Sequence, residues 1–269
     1  MEDERAREEL DEAIDSLVEA PEQDRATRVD KVEEIVANDV LASSYARLQF
    51  LIGTIAFLLP VVVALFDWLI DDQGIRGSIS SYYYGRTGGW FVGSLCAIGV
   101  FLLSYNLRPR PGFGVDNILT NLASVAVIGV ALFPTSSEGE AATGGSAVVA
   151  LVHVICAGVF FVLLAVLALF FFTRIDDRRY GFRRGLWRAV RNDPGTSPSR
   201  QRDNLVYRLC GWTIVACLAL IVVNNALDLG WLFWLEAVIV WAFGVSWLRK
   251  SANVARALRK LTSVVRMGA

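Results

Sequence analysis

The chain has 269 residues, of which 54% are apolar and only 20% charged, and its mean hydropathy is +0.45. A soluble domain of this size normally carries about 25% charged residues. The charges nearly cancel, at 26 Lys and Arg against 27 Asp and Glu, but they sit in blocks between long apolar stretches. That pattern excludes a disordered chain and argues against an ordinary soluble enzyme.

Residues 1–45 hold 15 acidic and five basic side chains, a net charge of −10. Such a start is the opposite of a signal-peptide n-region, so no cleavage is expected and the first apolar run acts as the insertion signal. Two amphipathic helical stripes are predicted here. One carries Leu10, Ile14, Leu17 and Val18, and the other, after Pro21, carries Val29, Val32, Val36 and Val40. Each stripe must be covered, so the segment is either a solvated helix pair resting on the rest of the chain or an oligomerisation or sensor head.

About 20 mostly apolar residues make a membrane helix. Six spans are predicted, near 48–70, 88–106, 117–134, 146–173, 205–226 and 230–248. The second and third are short and moderately polar. Pro60 removes a backbone donor inside the first span, which predicts a kink there. The expected fold class is therefore all-α: a polytopic membrane bundle of six transmembrane helices with an amphipathic N-terminal cytoplasmic helical segment. The domains read as an acidic head over 1–45, a membrane domain over 46–250 and a basic amphipathic tail over 251–269.

Lys and Arg orient the spans. Residues 174–202 carry nine Arg and residues 249–266 carry six Lys or Arg, whereas loop 135–145 has none and loop 71–87 only Arg76 and Arg86. The positive-inside rule then places both termini in the cytoplasm, as expected for a multi-pass protein of a bacterial inner membrane. Trp68, Trp90, Trp231 and Trp234 fall near the outer ends of spans, where an aromatic belt belongs.

The long basic loop interleaves Arg178, Arg179, Arg183, Arg184, Arg188 and Arg191 with Tyr180, Phe182 and Trp187. Its plain reading is topological, with Arg beside anionic headgroups. It is also a candidate anion site, docking the acidic head, a cytoplasmic partner protein or a phosphate-bearing ligand. Composition of this kind suits base stacking and phosphate contact, but nothing beyond the basic loop supports nucleic acid. In the tail, Val254, Leu258, Leu261 and Val265 oppose Arg256, Arg259 and Lys260, as in an interfacial helix.

Ionisable groups at membrane depth each require a reason. Glu236 and His153 lie six and seven residues into their spans, roughly 9–10 Å below the outer surface at 1.5 Å per residue. Asp67 closes the first span, and the following loop carries Ser80, Ser81, Tyr82, Tyr83 and Tyr84. We expect these side chains to form one polar cluster in which Glu236 and His153 are satisfied together. It reads as a structural network joining helices, a permeation or proton-relay element, or a hydrolase using Ser80 or Ser81 with His153 and Asp67. One histidine and four scattered cysteines (Cys96, Cys156, Cys210, Cys217) give no metal site, and no cofactor is expected. The cysteines read as packing residues.

Four strings, SISSYYYGRTGGWFVGSLCAIGVFLLSY, AVIGVALFPT, ALVHVICAG and FWLEAVIVWAFGVSWLRK, occur in this order. Together they resemble an uncharacterised family of bacterial six-span membrane proteins, defined by a domain of unknown function, over about residues 46–250. The resemblance places Ser80, Tyr82, Tyr83, His153 and Glu236 in its strings but implies no activity. The chain is more loosely similar to the Frag1-type and ceramidase-type membrane superfamilies. The zinc chemistry of the latter needs several histidines and does not carry over to a chain with one.

The functional expectation is an oligomeric regulated pore or membrane effector, not an enzyme, gated by its cytoplasmic segments and partnered by the bilayer and by further copies of itself. By analogy alone, toxic effectors of antiviral defence are built this way. The alternatives are an intramembrane lipid-active hydrolase and a transporter or sensor without a continuous pore.

Overall fold

The computed structural model describes residues 22–71, 74–104, 115–136, 143–173 and 198–268. Among these residues the chain is entirely helical, with six α-helices and no strand. They are α1 (Glu22–Asp71), α2 (Gly88–Ser104), α3 (Val115–Leu132), α4 (Gly145–Val166), α5 (Pro198–Leu227) and α6 (Leu232–Gly268). Each of the six apolar runs falls largely on a helix, the fourth on α4 together with the turn that follows it. Four segments are long and apolar enough to cross a membrane: Ser43–Ile70, Gly145–Phe171, Gln201–Leu227 and Leu232–Arg256. The apolar helices Gly88–Ser104 and Asn117–Leu132 are shorter.

Two elements differ from expectation. The second amphipathic stripe and the first span are one helix, because no breaker lies between Glu22 and Asp71 except Pro60, and α1 runs through it. The tail is likewise continuous with the last span, helical to Gly268. The stripe around Leu10 and the arginine loop from Arg178 to Arg191 lie outside the described residues, as do the side chains of the stripe from Val29 to Val40.

The chain divides into two compact units, Leu48–Lys250 and a second that joins the residues up to Arg47 with those from Ser251 onward. In the second unit the buried Ser251 hydroxyl donates to the carbonyl of Ala46 (2.8 Å). In the first, helices adjacent in sequence pack in turn, α2 on α3, α3 on α4 and α4 on α5. Small residues set the approach. A Cβ at Gly99 would lie 2.5 Å from Ile128 of α3, and one at Gly129 would lie 2.6 Å from the Cys156 sulfur of α4. Helices α1 and α6 cross closely: Cβ atoms at Gly53 and Gly244 would each come within 2.9 Å of the other residue's carbonyl oxygen. Trp241 Nε1 donates to the Phe57 carbonyl (3.0 Å), in the turn that Pro60 leaves short of a donor.

Helix α4 ends in a π-turn, Leu167–Phe171, closed by Phe172 N–H on the Leu167 carbonyl (2.9 Å). The wider turn brings Leu169 against Gly211 of α5, and Thr173 caps the Leu169 carbonyl (2.8 Å). Beyond it Phe172 packs edge-on to Tyr207 and Trp247, with Lys250 Nζ 4.1 Å from its ring centroid. The turn from α5 to α6 reverses the chain through positive φ at Asp228 (49°) and Gly230 (72°).

Candidate functional site: the polar cap

The loop between α1 and α2 folds over one end of Leu48–Lys250 and contains most of the predicted polar residues. Ser78 and Ser81 form a closed turn: Ser81 Oγ donates to the Ser78 carbonyl (2.8 Å), and each backbone N–H donates to the other's hydroxyl (3.0 and 3.2 Å). Ser80 Oγ lies 3.2 Å from Ser78 Oγ. This turn starts the 3₁₀ segment Ser80–Tyr84, which drives Tyr82 into the core at 0% exposure. Tyr84 reaches out instead and donates to the Thr135 carbonyl (2.6 Å), with the Tyr83 ring edge-on to it.

Asp67, fully buried at the end of α1, is met by Arg76 through Nε (2.7 Å). Arg76 also lies over the Tyr82 ring (5.6 Å), and its backbone N–H donates to the Tyr82 hydroxyl (3.2 Å). The pair leaves no space at Gly85, where a Cβ would sit 2.6 Å from Asp67 Oδ1 and 2.8 Å from Arg76 Nη2.

Glu236, in the first turns of α6, accepts the Ile79 N–H on Oε2 (2.7 Å). Phe233 N–H, one of the donors every helix start leaves unpaired, donates to the Gly77 carbonyl (3.0 Å). Helix α6 therefore clamps the loop at two points. His153 is held elsewhere: its Nδ1 lies 2.7 Å from the Phe133 carbonyl, and because a carbonyl only accepts, Nδ1 carries the proton. Phe133 follows α3, so the imidazole satisfies one of the carbonyls freed at that helix end.

This arrangement revises the expected single cluster. Asp67, Ser80, Ser81, Tyr82, Tyr83, Tyr84 and Glu236 belong to the cap loop or its clamps, but Glu236 and His153 take separate backbone partners. A hydrolytic triad needs a Ser–His–carboxylate chain of hydrogen bonds. Here Ser81 is turned to Ser78, Asp67 to Arg76 and His153 to Phe133. Among the described residues no group of three or more His, Cys, Asp or Glu could hold a metal ion.

Three anchoring residues escaped the sequence reading. In the sequence Arg76 reads only as a loop charge, although a cation nine residues after a membrane-depth Asp is a pairing signal. Asn224 accepts the Trp231 N–H (2.8 Å) and so pins the turn into α6. Arg249 pairs with Asp203 (2.7 Å), joining α6 to α5.

Fold and site together define a helical chain with four membrane-length apolar helices and a polar cap held by backbone-directed side chains. No protein-family model, curated protein or solved structure matches it. The family resemblance rests on the four strings alone.

Proposed function

We propose that the chain is a multi-pass protein of a bacterial inner membrane, with six embedded helices and both termini cytoplasmic, that works as an oligomeric, regulated pore or membrane effector. A wide belt of exposed apolar side chains supports the embedding, from Phe50 to Ile70 on α1, Val148 to Val162 on α4 and Leu205 to Leu227 on α5. The observation that carries this reading is that the ionisable residues at membrane depth take their partners inside the subunit.

Within one subunit Asp67, Glu236 and His153 are all engaged, so a conducting path runs between subunits. Regulation falls to the cytoplasmic segments. Residues 1–45 carry −10 and residues 251–269 carry +4, and both segments contribute to one compact unit. Their attraction holds a closed state that a phosphate-bearing ligand or partner protein, competing at the basic segments, releases.

The test is ion and dye flux in liposomes reconstituted with the purified chain. Removal of residues 1–45 is expected to raise flux about tenfold, the size of an ordinary coupling between sites. Glu236→Gln keeps an acceptor for Ile79 and is expected to change that flux by less than about twofold. Absence of flux with and without the head would rule out the pore.

A further inference from the structure

Gln49 of α1 is 2% exposed, yet its side-chain carbonyl oxygen has no hydrogen-bond partner. Other buried polar side chains of the bundle avoid that cost. Ser124 donates to the Gly99 carbonyl (2.7 Å), Ser246 to Ala242 (3.0 Å) and Thr173 to Leu169 (2.8 Å). Gln49 shares a face of α1 with Gly53, one turn on, where a Cβ would meet the Cγ and the backbone nitrogen of Leu248. The amide is therefore buried at the crossing with α6, beside an apolar stretch of that helix. An acceptor buried without a donor raises the energy of the arrangement that buries it. The crossing itself is smooth, because at Gly53 and Gly244 no Cβ stands between the two backbones. Helix α1 runs unbroken from Glu22 to Asp71, so a displacement of its N-terminal end is carried to Gln49. Gln49 stands six residues inside the apolar segment that begins at Ser43, about 9 Å at 1.5 Å per residue.

We propose that α1 has two registers against α6 and that Gln49 sets the balance between them. The register seen is the closed one. In the other, α1 has moved one turn, about 5 Å, toward its N-terminal end, which carries the Gln49 amide out of the apolar contact to water at the cytoplasmic surface. The unpaired acceptor keeps the closed register close in energy to the second, so release of the cytoplasmic segments is enough to switch. The proposal rests on the reading that those segments hold a closed state. A leucine at this position would pack as well and leave nothing unpaired, so the glutamine lowers the stability of the closed register.

The experiment traps each register with a disulfide, in the full chain without its four native cysteines, reconstituted in liposomes. Ser251 donates to the Ala46 carbonyl in the register seen, so Ala46→Cys with Ser251→Cys reports that state. One turn of sliding sets position 46 opposite position 255, so Ala46→Cys with Ala255→Cys reports the other. In the register seen this second pair is one turn out of line, too far for a disulfide. Both pairs are expected to cross-link while Gln49 is present. Gln49→Leu, with Gln49→Met as a second variant, should slow the 46–255 cross-link relative to the 46–251 cross-link about tenfold, the effect of removing one orphaned acceptor. Failure of the 46–255 pair to form with Gln49 present, or a ratio untouched by both substitutions, overturns the proposal. Ion flux through the same liposomes separates it from the pore. A shifted ratio with no flux in any variant sinks the pore and upholds the two registers, whereas flux with an unshifted ratio sinks the registers alone.

Discussion

Arg76 shows how much of the cap depends on a single side chain. Its guanidinium neutralises a carboxylate with no access to solvent, covers the Tyr82 ring and lies in the space that Gly85 leaves open. Removing one partner of a buried ion pair strands the other, which is far worse than replacing both. Arg76→Ala is therefore expected to destabilise the protein by about 3–5 kcal/mol, measured by denaturant unfolding in detergent micelles. The double change Asp67→Asn with Arg76→Met should recover most of that loss. A double variant as unstable as Arg76→Ala would mean that the arginine acts through packing and not through charge. Asp67 and Glu236 are conspicuous in the sequence because ionisable residues in apolar runs are rare. Their partners are not, since a backbone N–H such as that of Ile79 has no signature in a string of letters.

Among the helices, α1 and α6 cross with their backbones in close approach. Gly53 and Gly244 bring the two backbones together, and Trp241 donates across the crossing to the Phe57 carbonyl, beside the Ala56 carbonyl that Pro60 leaves without its helical donor. Gly53→Leu would drive atoms into the backbone of α6, with a Cβ already 2.7 Å from Leu248 Cγ and 2.9 Å from the Leu248 nitrogen. Overpacking of this kind costs about 1–3 kcal/mol, so thermal unfolding of Gly53→Leu should begin at clearly lower temperature, and unchanged unfolding would show that the helices can slide apart freely. The sequence shows that Pro60 lies in an apolar helix. It does not show that a tryptophan 181 residues further along the chain hydrogen-bonds this stretch of the helix, at the Phe57 carbonyl.

At the scale of the whole molecule, the six-span arrangement makes a directional prediction. In a background without the four native cysteines, a single cysteine at Ser137→Cys should react with a membrane-impermeant maleimide added outside intact cells. One at Trp187→Cys should react only after the membrane is opened. External labelling at position 187 would reverse or break the proposed threading, because nine arginines between residues 174 and 202 would then face outward against the positive-inside rule.

The positions of all six apolar helices were legible in the sequence, because hydropathy and the lack of breakers are local properties that add along the chain. That the second and third runs are short was legible for the same reason. The continuity of α1 from the acidic segment into the apolar run was not, since a change of composition looks like a boundary even where nothing breaks the helix. Tertiary structure alone decided what the polar residues do. Asp67 found Arg76, Glu236 found a loop N–H and His153 found a carbonyl at the end of α3. Those choices follow from which backbone groups are left unpaired once helices end and loops fold over them, and that is a property of the assembled molecule, not of any stretch of its sequence.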